Sequence, residues 1–436
     1  MIELRKPDPV LKRILPEQKL QSGALYTRSL YALPCEYEGR NLCFHTLRRQ
    51  LIELTSPLPC RISSDAIREN EELSALMRGY FLVPEGKNET ASYRDLFQVI
   101  HSLAKKNAAR GFTILPTTAC NARCIYCFEK NRKPETMTPE LTEYVAEYIN
   151  KKRTTQKTAI KWFGGEPLTA AGVIDTICFR LKEKGIPFVS DIVTNGSLIT
   201  EEIADTMTGL WNMEHAQVSM DGDKRDYMAR KRYVRPADQY QTVLNGIRFM
   251  AERGIRVSVR CNVDRNNIDT IETFLSDLSE AVPDKQNVDV SLTALNQERM
   301  GEQGQVIWRK ISESRTLIRS FGFQVRDPRF LFSDIRTHHC KADLGSIVIG
   351  PDGGLYACEE CTQESCFGNI ADDPENTGAA KQFCRVDRIR EKCRRCPFLP
   401  ECTPFASCPV QEKQCVEIQR LRFLEKVKGF FREKPQ

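Results

Sequence analysis

Between residues 107 and 295 the chain alternates short β-rich runs with longer amphipathic stretches, and this alternation restricts the fold more than any other feature. The runs are Phe112–Leu115, Ala159–Phe163, Phe188–Val193, Ala216–Ser219, Ile255–Asn262 and Val288–Thr293. Helical patterns lie between them. The clearest starts at Thr138, whose hydroxyl can cap a helix with Pro139 at its first position. Others run through about 170–184, 200–212, 237–253 and 267–280. Buried strands joined by helices make parallel βαβ units. Six units fall short of a closed eightfold barrel, so the expected class is α/β with a partial (β/α)6 barrel. Chemistry in such barrels sits at the C-terminal ends of the strands.

The unusual motifs all fall at that rim. TTACNARCIYCFE (117–129) follows the first strand, WFGGEPL (162–168) ends the second, VTNGS (193–197) the third and VSMDGD (218–223) the fourth. Cys120, Cys124 and Cys127 form a C-x3-C-x2-C pattern that can bind three irons of a [4Fe–4S] cube and leave the fourth open. A zinc site completed by a distant residue, or a set of unligated thiols, is the plainer alternative. Zinc motifs usually pair two C-x2-C elements, and the barrel sequence holds no partner pair.

The chain has 18 cysteines, ten of them within residues 340–415. A chain of 436 residues with a charged, proline-broken start (MIELRKPDPVLKRIL) and no apolar signal core does not read as a secreted disulfide scaffold. The expected compartment is the reducing cytoplasm, where such clusters mean metal or iron–sulfur ligation. No apolar run is long enough to span a bilayer, and a net charge of +6 spread along the chain gives little reason to expect a nucleic-acid partner.

CNARCIYCFE followed by WFGGEPL, VTNGS and VSMDG resembles the radical S-adenosylmethionine (SAM) superfamily over roughly 107–325. The resemblance implies that SAM chelates the open iron, and that reductive cleavage yields a 5′-deoxyadenosyl radical that abstracts a substrate hydrogen. It implies a low-potential donor such as flavodoxin or ferredoxin. Gly164 and Gly165 allow close backbone approach, Glu166 can accept from the amino group of SAM, and Pro167 fixes the turn. Thr194, Asn195 and Ser219 suit ribose hydroxyls and the carboxylate, with Tyr126 near adenine. Arg232 or Arg230 could hold the carboxylate in a guanidinium fork. Asn195-Gly196 also reads as a turn pair, and the arginines of MARKRYVR as a solvated face. Asp221 reads as a turn residue, and Asn262 and Asp264 as strand-end polar groups. Cys178 and Cys261 read as buried hydrophobes, and Cys35, Cys43 and Cys60 as packing residues.

The tail resembles the SPASM extension of radical SAM enzymes over roughly 336–425, which holds two auxiliary [4Fe–4S] clusters and makes three in all. Carried over, Cys393, Cys396, Cys402 and Cys415 would bind the outer cluster. Cys340, Cys358 and Cys408 would bind the inner one, with Cys361 or Cys366 as fourth ligand. Five residues (Thr403–Ser407) separate Cys402 from Cys408 where the family pattern has three, which leaves the inner set open. Cys384 lacks a motif. The alternative for this segment is a pair of structural zinc sites.

These readings divide the chain into 1–106, 107–325 and 326–436. The first segment combines a β-like stretch (Ala24–Leu33), a helical pattern (Arg40–Leu54), a second helix (Ser64–Arg78) and YFLVPEG, and a polar helix and a final helix (about 411–429) follow the barrel. The N-terminal unit resembles the winged-helix peptide-recognition domains of maturases for ribosomally made peptides, which implies a precursor peptide whose leader adds to a sheet edge. The expected reaction is a thioether crosslink from a cysteine sulfur to carbon, with epimerisation or carbon–carbon crosslinking as variants. An anaerobic sulfatase maturase is the second enzyme reading, with Glu359 in CEEC as general base. The non-enzymatic reading is a zinc-stapled leader-peptide or nucleic-acid binder.

Overall fold

The computed structural model describes residues 1–107, 111–235, 238–295, 301–325, 345–359, 366–371, 391–402 and 416–433. Residues 1–107 make two small antiparallel sheets. Strands β1 (Ile2–Arg5), β2 (Leu25–Arg28), β3 (Ala32–Tyr37), β4 (Arg40–His45), β5 (Gln50–Leu54), β6 (Arg61–Ser63) and β7 (Leu82–Pro84) pair in the orders β1-β5-β4-β3 and β6-β2-β7. Helices α1 (Pro9–Ile14), α2 (Ser64–Glu69), α3 (Glu71–Arg78) and α4 (Glu89–Asn107) accompany them.

Two expectations change here. Arg40–Leu54 is a β-hairpin rather than a helix. Leu47, Leu51 and Leu54 are spaced like a helical stripe, but Leu42, Cys43, Phe44, Leu51 and Ile52 are buried on both faces, which removes the alternation that marks a strand. Arg49 makes the turn in the left-handed region, at φ 61°. The helix expected over Ser64–Arg78 breaks at Asn70, whose extended backbone ends α2 while its side chain accepts from Leu73 N to cap α3.

The barrel matches its sequence pattern strand by strand: β8 (Phe112–Thr117), β9 (Thr158–Gly164), β10 (Phe188–Thr194), β11 (Met213–Met220), β12 (Arg256–Val263) and β13 (Val288–Ala294), all parallel. Between them run α5 (Pro139–Lys152), α6 (Ala171–Glu183), α7 (Glu201–Gly209), α8 (Lys224–Lys231), α9 (Gln239–Glu252) and α10 (Ile271–Ala281), and α11 (Gly301–Ser320) follows. Thr138 caps α5 by accepting from Leu141 N, with Pro139 next, as its sequence directs. Along β9, Ile160 and Trp162 are fully buried against the helices while Lys161 and Phe163 face the concave side. Burying an aliphatic side chain such as Ile160 contributes roughly 1.5–3 kcal/mol by removing it from water.

The sheet continues past the barrel. Strand β14 (Ile347–Ile349) adds parallel to β8, and β15 (Gly354–Tyr356) and β16 (Gly368–Asn369) follow as an antiparallel extension. The Cys393–Cys402 segment packs elsewhere, on the N-terminal sheets. Leu399 joins Leu11, Tyr31, Tyr93 and Phe97 in one cluster, and Phe398 joins Phe44, Leu51 and Phe423 in another. Glu401 lies 2.5 Å from Arg49 and accepts from Lys426 on the terminal helix Val416–Glu433. Cys178, Cys261 and Cys43 are buried as expected, whereas Cys60 is exposed. Among the described residues no helix is long and apolar enough to cross a membrane.

Candidate active site

The cysteine loop is clamped from two sides. Gly165 N donates to Thr117 O (3.1 Å) and Glu166 N to Ala119 O (2.9 Å). A Cβ on Gly164 would stand 2.2 Å from Thr117 O, and one on Gly165 2.3 Å from Ala119 O. The two glycines thus let β9 press directly on the backbone that carries the cysteines. Across the loop, residues 121–125 run antiparallel to 230–234. Arg123 N donates to the carbonyls of Lys231 and Arg232 (both 3.0 Å), Ile125 N to Arg230 O (3.0 Å) and Val234 N to Asn121 O (2.9 Å). These bonds occupy carbonyls that the end of α8 would otherwise leave unpaired.

Cys120, Cys124 and Cys127 are partly buried on this clamped loop. Burial pushes the Cys120 thiol up to about 11 and raises Cys124 as well. Such thiols stay protonated until a metal ion's charge draws the proton off. Among the described residues no three His, Cys, Asp or Glu side chains converge on a point where one ion would sit. The cysteines of an iron–sulfur cube each bind a different iron and need no common point. Three thiols on one clamped loop are a donor set that fits such a cube.

Glu166 is 1% exposed, at the rim beside this loop. Its Oε1 accepts from Leu168 N (3.1 Å) and Thr194 Oγ1 (2.7 Å), and its Oε2 from Asn195 N (2.7 Å). A carboxylate has about four acceptor positions, so capacity for one more donor remains. Among the described residues no cation lies within ion-pair distance of it. Burial raises its pKa, opposed first by the Asn195 N–H. Asn195 extends the chain: its Nδ2 donates to Asn121 Oδ1 (2.8 Å), and Asn121 Nδ2 donates to Ser197 Oγ (2.9 Å). The Asn195-Gly196 pair is thus both a turn, with Gly196 at φ 80°, and a link to the cysteine loop.

A second buried network lies on the far side of the loop. Lys231 Nζ donates to Ser219 Oγ (2.7 Å) and stands 3.6 Å from Asp221, with both charged side chains 2% exposed or less. The Tyr126 hydroxyl donates to Asp221 Oδ2, and Asn262 Nδ2 donates to Asp221 Oδ1 (3.1 Å). Burial opposes the charge on Lys231, but Asp221 and its neighbours hold its pKa well above the ordinary value. Burial also pushes the Tyr126 phenol up. Arg230 donates from Nη1 to Asp264 Oδ2 (2.9 Å), while its buried Nε and Nη2 find no hydrogen-bond partner among the described residues. A guanidinium buried with half its fork open is suited to an anionic ligand.

The remaining candidates are distributed differently. Pro167 opens a short 3-10 turn after Glu166. Arg232 caps α8 in the left-handed region (φ 50°), is exposed, and donates from Nε to Ala229 O (3.3 Å), away from the buried network. Glu359 pairs with Lys161 at 2.8 Å, and its carbonyl accepts from Arg132 Nη2 (2.7 Å), which places it beside β9 rather than among the residues around Glu166. Cys358 is partly buried near it, and Cys366 is exposed, with its thiol donating to Gly368 O. Cys393 and Cys396 share one turn, and Cys402 ends the helical turn Leu399–Cys402. Cys340, Cys361, Cys408 and Cys415 lie outside the described residues, as does Cys384.

Lys231 is the residue that pattern reading missed. It sits in MARKRYVR, which looks like a solvated charge run, and only the position of Asp221 at the end of β11 hints at its partner. Asp221, Asn262 and Asp264, read as turn or strand-end groups, all belong to the buried network.

Residues 114–278 match the family model described as the Radical SAM superfamily, so the barrel is a radical SAM domain. The radical SAM cyclopropyl synthase TigE of Paramaledivibacter caminithermalis is 26% identical over 49% of this chain and 48% of its own length. The Fe-coproporphyrin III synthase of Methanosarcina barkeri is 27% identical over 38% of this chain and 39% of that one. The chain therefore spans about half, or less, of these relatives. Among solved structures, anSMEcpe with bound AdoMet and peptide superposes with a TM-score of 0.57 at 16% identity, covering 74% of this chain and 98% of that chain. Streptococcus suis SuiB bound to precursor peptide SuiA gives 0.51 at 15% identity, covering 89% and 97%. At such identities the likeness describes the fold.

Proposed function

We propose that this radical SAM enzyme modifies a ribosomally made precursor peptide, forming a thioether crosslink from a cysteine sulfur to carbon. The observation that carries the site assignment is Glu166, a buried carboxylate with three donors and, among the described residues, no cation at ion-pair distance, set beside a clamped three-cysteine loop. When bound, a [4Fe–4S] centre and SAM supply reductive cleavage and a carbon radical that abstracts a substrate hydrogen. This chain's residues then have separable tasks. Cys120, Cys124 and Cys127 hold the centre, Glu166 accepts from the ligand's ammonium, and the open fork of Arg230 meets its carboxylate. Ser219, Thr194 and Asn195 face the hydroxyl-rich part. Tyr126, tied to Asp221, would steady the loop near the adenine.

The peptide reading is supported by the two fold neighbours, whose structures hold a bound peptide. It is supported too by a groove of about 280 Å³ beside β6, lined by Thr55, Pro57, Ile62, Asn70, Leu73 and Leu76. Strand β6 is an edge of its sheet, so a leader can add to it through backbone hydrogen bonds. Residues 1–106 would act as this winged-helix-like recognition domain, and 326–436 as the SPASM domain with two auxiliary clusters. A low-potential carrier would supply electrons.

A second reading, formylglycine formation, draws on Glu359, which directly follows Cys358 and reaches Lys161 beside β9. Mass spectrometry of the reacted peptide separates the two. A crosslink removes two hydrogens and leaves no aldehyde, whereas formylglycine reacts with a hydrazide. Anaerobically prepared protein should contain about 11–12 irons per chain with both auxiliary sites filled. About four irons would remove the SPASM assignment, and zinc alone would remove the radical chemistry.

A further inference from the structure

The outer side of the cysteine loop carries groups that the site described above does not use. Ala122 bridges Tyr233 in antiparallel pairing. Because Ala122 is buried, alternation turns its neighbour Arg123 outward, opposite Arg232 on the paired strand, and both are exposed. Arg123 Nη1 donates to the carbonyls of Cys120 (2.7 Å) and Ala122 (2.8 Å), and Arg232 only to Ala229 O. Among the described residues neither has a carboxylate partner. Two like charges face to face repel, so the pair costs stability unless something anionic visits it. Apolar groups interleave with them. Ile125 is 46% exposed, Phe128 54% and Val234 58%, and exposed Arg235 follows. Arginine mixed with exposed aliphatic and aromatic side chains is the composition of a docking face rather than of an ordinary solvated surface.

The position of this face determines what it can serve. It is the exposed side of the loop that carries Cys120, Cys124 and Cys127, all three of them partly buried. Electron transfer slows steeply with distance, and exposed Arg123 and Ile125 flank Cys124 directly in the chain, so a carrier seated here would be separated from that thiol by little more than the loop backbone. We propose that Arg123, Ile125, Phe128, Arg232, Val234 and Arg235 form the docking face for an acidic one-electron carrier protein. The inference rests on the radical SAM reading of the site. One electron passes, the carrier is oxidised by one unit, the centre is reduced by one, and no atom is exchanged.

The test is titration of the full-length, anaerobically reconstituted protein with an oxidised flavodoxin of net negative charge, at low and high salt. Wild-type affinity should weaken as salt rises. Arg123→Glu with Arg232→Glu should raise Kd about tenfold or more at low salt and flatten the salt dependence. Arg232→Glu with Arg235→Glu, which leaves the cysteine loop unaltered, should do the same if the first variant loses its iron. Val234→Ser should raise Kd at both salts. A salt-insensitive wild-type affinity, or charge reversal that leaves Kd within about twofold, overturns the docking face. Iron content and bleaching by dithionite are read on the same samples. A wild-type protein without an iron–sulfur centre defeats the underlying reading, whatever the flavodoxin does.

Discussion

Glu166 at the barrel rim and Glu401 at the junction between the N- and C-terminal segments are both enclosed carboxylates, with surroundings of different kinds. Glu401 lies between Arg49 and Lys426, and their charges overcome burial to bring its pKa down to about 2. Glu166 meets backbone N–H groups and a hydroxyl, and burial leaves its pKa raised. The first carboxylate is neutralised from within and ties three segments together. The second is hydrogen-bonded but not neutralised, which is how a fold leaves room for a cationic ligand. Buried charge alone therefore does not mark a candidate site; the contrast lies in Glu166 having, among the described residues, no cation at ion-pair distance, whereas Glu401 has two.

The largest expected break in this comparison is at the junction. Glu401→Ala leaves Arg49 and Lys426 enclosed without their partner and should destabilise the protein by about 3–5 kcal/mol, read by denaturant unfolding. A loss under 1 kcal/mol would show that the junction is an ordinary surface pair.

At the rim, Glu166→Gln turns an amide N–H toward existing donors and removes the charge. It should weaken SAM binding by about 2–3 kcal/mol while shifting the unfolding midpoint far less than Glu401→Ala does. Equal effects on binding and stability would make Glu166 a structural residue.

Acidification should separate the two carboxylates by order of loss. Glu401 has a folded pKa below its ordinary 4.5, so its stabilisation is complete above that value and fades as pH falls toward about 2. Glu166 is shifted the other way, so folding favours its protonated form and ligand affinity should fall first, at a pH where the junction is intact. Calorimetric SAM titrations and melting curves across the same pH series test this, and a junction that fails before binding weakens would contradict it. The smallest effect belongs to Tyr126→Phe, which loses the hydrogen bond to Asp221 and a longer one accepted from Asn262 Nδ2 (3.3 Å), and should cost about 1 kcal/mol in stability.

The same contrast explains what was legible in the sequence. The barrel strands show as apolar runs because both faces of a parallel sheet are covered, and the rim motifs show because glycine, proline and cysteine are required by local geometry. Gly164 and Gly165 are legible for this reason, although the backbone they admit is the cysteine loop's own. Lys231 is not legible, since its burial depends on Asp221 ten residues earlier and on how α8 folds back over the loop. The β4–β5 hairpin was hidden because burial on both faces imitates a helical stripe. Glu401 carries no local signal, since its partners Arg49 and Lys426 are far away in sequence. Contacts of long range are what a pattern of neighbours cannot encode.

The most direct test of the central claim is 5′-deoxyadenosine release from SAM by anaerobically reconstituted protein given dithionite. Wild-type protein should release it, Cys124→Ala should release none, and Glu166→Gln should release it only at raised SAM concentration. Release that persists in Cys124→Ala, or none from an iron-loaded wild type, would contradict the assignment of this rim as the site.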